Sequence, residues 1–130
     1  MDKTIHSLQN RRKPEKKQTR DSDLFKTILQ AIEEKKGTDI VSLNLREIEV
    51  AVADFFIICQ GGSRTQIQSI ADFVEEQVRL NCQERPYHVE VGDAWTLIDY
   101  VDIVVHIFDP AHRSFYDLES LWADAEKINH

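Results

Sequence analysis

The sequence has few of the residues that build metal sites or disulfide frameworks. Its only cysteines are Cys59 and Cys82, which lie 23 positions apart without a CxxC pattern. None of the five histidines has the spacing of a metal ligand set, and a structural zinc site needs Cys or His at short intervals. Cys59 lies in a hydrophobic run, which indicates a small buried side chain. We therefore expect neither a bound metal nor a disulfide.

Long apolar segments are also absent. No run approaches the roughly 18 residues that a membrane-spanning helix needs, and the first ten residues have no apolar core of the kind that a signal peptide carries. The sequence therefore predicts a cytoplasmic protein without membrane contact. Its 130 residues fit one domain, and 42% hydrophobic with 30% charged residues is typical of a globular protein.

The net charge of -7 conceals two regions of opposite sign. Residues 1–20 carry seven basic and two acidic side chains, whereas the remaining 110 residues carry nine basic and 21 acidic ones. We predict a basic, disordered tail over residues 1–21 and a folded acidic domain over residues 22–130. The tail either contacts RNA through counterion release or is a solvated extension. The acidic surface either suits a basic protein partner or only keeps the domain soluble.

The first half of the domain alternates between helical and extended patterns. After Ser22, a suitable helix cap, apolar residues recur at helical spacing as far as Ile32, and Gly37 can end the helix. Alternating residues from Asp39 to Leu45 predict a half-buried strand. The wholly apolar run from Phe55 to Cys59 predicts a strand in the middle of a sheet.

The second half begins with a helix and continues with strands. Ser63 and Gln66 form a predicted capping box at the start of the helix. Gly92-Asp93 is a turn sequence that joins two of the strands that follow. The predicted elements are strands at Tyr87–Val91, Trp95–Asp99 and Ile103–Phe108, and a terminal helix at Ser114–Ile128. The fold class is therefore α/β, with a mixed sheet of about five strands flanked by helices.

One arrangement resembles a nucleotidyltransferase site. A strand, the turn Gly61-Gly62-Ser63 and a helix precede two carboxylates, Asp99 and Asp102. Such enzymes hold magnesium with carboxylates at alternate strand positions. Here the two are three apart, so they would point to opposite faces of a continuous strand. No phosphate-binding loop, dinucleotide fingerprint or GxSxG motif is present. We predict no catalytic residues, no cofactor and no enzymatic activity.

Several segments in order resemble the ribosomal silencing factor family, also called Iojap-like. The resemblance spans residues 23–122 and is strongest in the second half of the sheet. The segments that carry it are Asp39-Ile40-Val41, Ala53–Cys59 with Gly61 and Ser63, Ile70-Ala71-Asp72, Trp95–Phe108 and Arg113–Trp122.

The resemblance implies a fold related to nucleotidyltransferases without their catalytic residues. It also implies a function in translation. Family members bind large-subunit ribosomal protein fourteen on the face that meets the small subunit, and they block subunit joining and repress translation. They are often homodimers. A factor for large-subunit assembly or maturation remains the main alternative, and a nucleotidyltransferase is a more distant one.

The family's contact surface centres on a W-x-x-x-D segment, which matches Trp95 and Asp99 here. On a strand, Trp95, Leu97 and Asp99 share one face. An aromatic anchor beside a carboxylate suits a protein interface. The alternative is that Trp95 and Leu97 are core and only Asp99 is exposed. The predicted partner-binding set is Trp95, Leu97, Asp99, Tyr100 and Asp102.

Tyr116 and Trp122 are expected to pack the terminal helix on the sheet. The basic extension before Ser22 is longer than the family pattern requires, and the segment from Glu47 to Val52 is less typical of it. Neither departure alters the resemblance.

Overall fold

A computed structural model describes residues 13–130, which form a six-stranded mixed sheet with helices on both faces. The strand order is β3-β4-β5-β2-β1-β6, with β2 and β5 parallel and every other neighbouring pair antiparallel. The helices are α1 (Asp23–Glu34), α2 (Arg64–Cys82), α3 (Pro110–Tyr116) and α4 (Leu118–Leu121). The strands are β1 (Thr38–Asn44), β2 (Phe55–Gln60), β3 (His88–Val91), β4 (Trp95–Asp99), β5 (Ile103–Phe108) and β6 (Glu126–Asn129).

Helix α1 begins after Ser22 as predicted, but a different residue ends it. Lys36 adopts the left-handed conformation, with φ of 65°. The Gly37 N–H then donates to the Ile32 carbonyl at 2.9 Å and the Lys36 N–H to the Glu33 carbonyl at 3.0 Å, which is a Schellman motif. A side chain at Gly37 would place its Cβ 2.5 Å from Ile32 Cγ2. Glycine is therefore needed here for close packing and not for its backbone angle.

The predicted cap at the start of α2 is confirmed, but the return hydrogen bond of the box reaches one residue before Ser63. The Gln66 N–H donates to Ser63 Oγ at 3.1 Å, and Gln66 Oε1 in turn accepts from the Gly62 N–H at 2.6 Å. Gln66 Nε2 also donates to the Lys36 carbonyl at 3.0 Å. One glutamine therefore both caps α2 and ties it to the end of α1.

The sheet has two unlike faces. Helices α1 and α2 cover one, which we call the helix face, and bury a largely aliphatic cluster there. Helices α3 and α4 and the segment 46–53 lie over the other, which we call the aromatic face. Its buried residues are Val41, Leu43, Leu45, Ala53, Phe56, Ile58, Leu97, Val104, Phe108 and Leu118.

The predicted terminal helix is wrong beyond its first residues. Asp117, with φ of 45°, breaks the helix after α3, and its carboxylate accepts from the Ser120 N–H to start α4. The chain then forms β6, which pairs with β1 in the register Val41↔Asn129. Strand β6 is a mostly exposed edge strand, so its sequence carries no clear alternation of apolar and polar residues.

The tail prediction is corrected for residues 13–21, which we call the N-terminal strap. Its backbone N–H groups donate to buried carboxylates, Glu15 to Asp102 at 3.2 Å, and Lys16 and Gln18 to Asp54 at 3.0 and 3.1 Å. The polar and basic composition of this segment predicted disorder. The carboxylates that hold it lie 36 to 87 positions away in the chain, so local composition could not reveal them. Residues 1–12, the rest of the predicted tail, lie outside the described residues.

Arg20 fastens the far end of the strap to the sheet. Its Nε donates to Ser42 Oγ at 2.9 Å, and its Nη1 forms an ion pair with Glu126 at 2.7 Å. The guanidinium also lies 5.3 Å from the centre of the Phe55 ring. The strap therefore joins strands β1, β2 and β6 through one side chain.

Candidate protein-interaction site

Aromatic side chains converge on the aromatic face where β4 begins and β5 ends. The antiparallel register places Trp95 opposite Phe108, and their rings stack with centroids 4.8 Å apart. Tyr116 of α3 lies against the same indole, also at 4.8 Å. His106 lies two residues before Phe108, so the alternation of β5 turns it to the same face. We call Trp95, His106, Phe108 and Tyr116, together with Phe56 and Trp122, the aromatic cluster.

His106 lies at the centre of the cluster and is fully buried. Its ring packs edge-on to Phe56 with centroids 4.6 Å apart, and its Nδ1 accepts from Trp95 Nε1 at 3.3 Å. Burial lowers the pKa of His106 to about 3, so the imidazole is neutral. Because Nδ1 accepts, Nε2 carries the proton, and this buried N–H has no hydrogen-bond partner among residues 13–130.

The outer edge of the cluster reaches the surface. Phe115 is 79% exposed and its ring lies 5.2 Å from that of Tyr116, and Leu121, which precedes Trp122 in the chain, is 60% exposed. Trp95, Tyr116 and Trp122 are each partly buried. We call these five residues the apolar rim. Exposed large apolar side chains beside a buried aromatic cluster are typical of an interaction site.

Arg113 holds α3, which carries part of the rim, onto the sheet. It is only 8% exposed. Its guanidinium donates to Glu119 Oε1 at 3.1 Å, to Gln60 Oε1 at 3.2 Å and to the Asp39 carbonyl. Burial acts to raise the pKa of Glu119, but hydrogen bonds from Arg113 and Lys127 hold it below its ordinary value. A buried polar clasp therefore positions a helix too short to be stable alone.

The predicted partner-binding residues differ in exposure. Trp95 is at the surface, whereas the other four are at most 4% exposed. Leu97 packs in the core of the aromatic face, as the alternative interpretation expected. Asp99, which that alternative left exposed, is fully buried and accepts from the Val101 N–H at 2.7 Å. Direct contact with a partner through Leu97, Asp99, Tyr100 and Asp102 stays a prediction.

The two carboxylates that resemble a nucleotidyltransferase site, Asp99 and Asp102, bind backbone N–H groups of the turn and the strap. Asp102 accepts from the Glu15 N–H, and its own carbonyl accepts from Asp54 N–H at 2.7 Å. Burial raises the pKa of Asp54, backbone donation from Gln18 opposes this, and the neighbouring Asp102 acts in the same direction as burial. Over residues 13–130, no group of three or more His, Cys, Asp or Glu side chains is placed to hold a metal ion.

Both cysteines are free, and Cys59 is fully buried as expected. Burial raises the pKa of its thiol to about 12. Among the helices described, none is long and apolar enough to cross a membrane.

The sequence did not point to Phe115 and Leu121 as rim residues. The predicted continuous helix over Ser114–Ile128 gave them no particular surface. Asp117 was the available indication, since aspartate favours both helix caps and the left-handed conformation. A helix broken there places Phe115 and Tyr116 on α3, and Leu121 and Trp122 at the end of α4.

These observations define a small α/β domain with an aliphatic sheet face beneath two long helices and an aromatic, partly exposed face. The family model described as "Ribosomal silencing factor during starvation" matches residues 16–130. The chain is 35% identical over 111 residues to the ribosomal silencing factor of Halalkalibacterium halodurans, covering 82% of this chain and 91% of that one. The chain belongs to the ribosomal silencing factor family.

Two further comparisons agree with this assignment. A crystal structure of a Chromobacterium violaceum protein superposes with a TM-score of 0.72 at 29% identity, covering 78% of this chain and 84% of that one. A mouse protein named for mitochondrial assembly of the ribosomal large subunit is 31% identical over 78 residues, which cover 57% of this chain and 34% of that protein. The fold class predicted from sequence is confirmed, with six strands in place of about five.

Proposed function

We propose that this protein binds the large ribosomal subunit through large-subunit ribosomal protein fourteen and sterically blocks the small subunit from joining. Translation is repressed as a consequence. The protein acts by occupying a surface, without catalysis and without a cofactor, and it works in the cytoplasm. Family membership supports a ribosomal role, and the features of the aromatic face support a protein-binding mechanism.

The apolar rim is the observation that carries this proposal. It offers exposed aromatic and leucine side chains next to a rigid buried cluster, and aromatic residues held in place bury large area at little entropic cost. Residues 21–130 carry 21 acidic and nine basic side chains, so the surface of the domain is negatively charged. Such a surface is complementary to a basic protein such as those of the ribosome, because opposite potentials steer association.

The predicted partner-binding residues take two roles in this proposal. Trp95 contacts the partner directly, because it is partly exposed and joins the rim to the buried cluster. Leu97 supports it from below. The β4–β5 turn is held by Asp99, Tyr100 and Asp102. Within it, the Asp99 carboxylate accepts a hydrogen bond from the Val101 N–H.

The basic N-terminal segment is proposed to contact ribosomal RNA. The strap is anchored by backbone N–H groups, so the side chains of Lys13, Lys16 and Lys17 remain exposed. Phosphate contacts by lysine release counterions and weaken with added salt. A homodimer of the free protein is also proposed, on the family resemblance alone.

The experiment that tests the proposal is sedimentation of purified large and small subunits with and without the protein, at a magnesium concentration that normally joins them. We expect the joined particle to disappear and the protein to travel with the large subunit. Trp95→Ala should weaken large-subunit binding by about 2 kcal/mol while the domain stays folded. Subunits that still join, with the protein left at the top of the gradient, would refute the proposal.

A role in large-subunit assembly is the second candidate, and the name of the mouse relative favours it. Both roles require the same large-subunit contact. They differ in the particle that is bound, since an assembly factor prefers precursor particles. Depleting the protein from cells and profiling the subunits separates them. Accumulation of large-subunit precursors indicates assembly, whereas normal subunits that join more readily during starvation indicate silencing.

A further inference from the structure

The only N–H of the Trp95 side chain is directed into the protein. Nε1 donates to Nδ1 of the buried His106 at 3.3 Å, although the indole ring itself is partly exposed. Indole has this one donor and no acceptor. A partner that approaches the exposed part of Trp95 therefore meets carbon and π surface without a polar atom to bind.

We propose that His106 is a positioning residue for partner binding, which holds the indole of Trp95 in one orientation so that the partner contacts the ring and not its N–H. This inference rests on the proposed function, in which Trp95 is the anchor of the large-subunit contact. It adds a residue that does not touch the partner and a statement about the chemistry of the contact. The matching group on the partner is an apolar or cationic side chain.

Packing alone does not account for a histidine at this position. His106 is fully buried, with Phe56 edge-on at 4.6 Å and Phe108 nearly parallel at 6.2 Å. A leucine or phenylalanine would satisfy such surroundings without leaving a polar atom unpaired. Histidine instead leaves Nε2 buried without a partner among the described residues, which costs stability. What it adds in return is an acceptor for the indole.

The imidazole is suited to this task because it stays neutral. Its burial lowers the pKa to about 3, so Nδ1 keeps its lone pair under ordinary conditions. The rings around it limit the alternatives open to Trp95. Phe108 stacks on the indole at 4.8 Å and Tyr116 lies beside it at 4.8 Å, so the hydrogen bond selects one orientation within a slot already formed by packing.

The test uses paired variants of the full chain. His106→Asn keeps an acceptor close to the position of Nδ1, whereas His106→Leu removes it at similar volume. Binding to purified large subunits is measured for both, after thermal unfolding confirms that each is folded. The orientation of the indole is read from the Trp95 Nε1–H resonance in NMR spectra, with Trp122→Phe as background to leave a single tryptophan.

We expect His106→Leu to shift and broaden the Trp95 resonance and to weaken binding about ten-fold, and His106→Asn to restore most of both. Trp95→Phe keeps a ring but loses the hydrogen bond to His106, so it should bind about as weakly as His106→Leu, whereas Trp95→Ala loses about thirty-fold. If Trp95→Phe loses as much as Trp95→Ala, the ring without its hydrogen bond contributes nothing to binding and the inference is wrong. The same holds if His106→Leu binds normally, or if His106→Leu and His106→Asn are equally impaired.

Leu80→Ala is the control variant. Leu80 lies on α2 and is 51% exposed, and its replacement should leave both the Trp95 resonance and binding unchanged.

The comparison of Trp95→Ala with His106→Leu separates this inference from the proposed function. If Trp95→Ala itself binds large subunits normally, the proposed contact site is wrong. If Trp95→Ala is impaired and His106→Leu is not, the contact site stands and only the positioning role of His106 is refuted.

Discussion

The two faces of the sheet are covered in different ways. Helices of 12 and 19 residues pack on the helix face and bury an aliphatic cluster in which Ile28, Ile70 and Val74 have no exposed surface. The aromatic face is covered by helices of only 7 and 4 residues, and its cluster continues to the surface through Trp95, Tyr116 and Trp122.

In the proposed function, this difference separates stability from recognition. The two long amphipathic helices bury a continuous apolar cluster, and burial of apolar area is the main source of folding free energy. The short helices α3 and α4 cover less of the sheet. The aromatic face therefore keeps an exposed apolar rim, and the hydrogen bonds of Arg113 hold α3 in place. The proposed function requires exposed apolar surface for the partner, and such surface lies on the face that the shorter helices cover.

The largest effect on folding is expected from the helix face. Ile70→Ala should lower the free energy of unfolding by about 3 kcal/mol, because it leaves a cavity beneath α2. Urea denaturation measures this change. The folded variant should bind the large subunit as the wild type does. If a fully folded Ile70→Ala variant lost binding, the two faces would not have the separate roles proposed here.

A change at Arg113 should affect both folding stability and large-subunit binding. Arg113→Met removes donors to Glu119 and Gln60, and we expect the free energy of unfolding to fall by about 2 kcal/mol. Binding should weaken as well, since α3 carries Phe115 and Tyr116. Arg79→Met, at an exposed position of α2, is the matched control and should change neither urea denaturation nor binding.

A pair of leucines compares the two faces directly. Leu121 in the rim is 60% exposed and Leu80 on α2 is 51% exposed, so their exposure is similar. Leu121→Ala should weaken large-subunit binding by about 1 kcal/mol, or about five-fold, and Leu80→Ala should not. Sedimentation titrations of both variants test this, and equal losses would show that the rim is not special.

The smallest effect concerns pH and the strap. Because burial raises the pKa of Asp54 above 3.8, the neutral carboxyl favours the folded state, and this contribution is lost as pH rises through the folded pKa. Asp54→Asn lacks the contribution. The stability of Asp54→Asn relative to the wild type should therefore improve as pH rises from about 3 to about 7. Urea denaturation across this range measures it, with the exposed Asp124→Asn as control.

Elements with a strong local pattern were predictable. The apolar spacing that ends at Ile32 gave α1, the pair Ser63 and Gln66 gave the start of α2, and strands β4 and β5 were predicted at their observed bounds. Strand β6 was missed because an exposed edge strand needs no alternation, and the pairing with β1 that forms it joins residues 82 to 88 positions apart. The strap was missed for a similar reason, since the carboxylates that hold it lie far along the chain.

The candidate site was only partly predictable. Trp95 followed from the family resemblance, with strand alternation placing it on one face with Leu97 and Asp99, and it lies in the rim. The burial of Asp99 and Asp102 did not follow, because it depends on the turn and on the strap that closes over it. The neighbours of Trp95 come from α3 and β5, and no local spacing relates His106 or Tyr116 to it.

The sequence by itself determined the α/β class, most helix and strand positions, the free buried Cys59 and the family resemblance. These follow from local spacing, capping residues and residue type, which act over a few positions. Tertiary structure alone decided which face of the sheet stays exposed, that the strap closes over Asp54 and Asp102, and that His106 receives the indole N–H of Trp95. Those features depend on contacts between distant segments, whose geometry is set only when the sheet has formed.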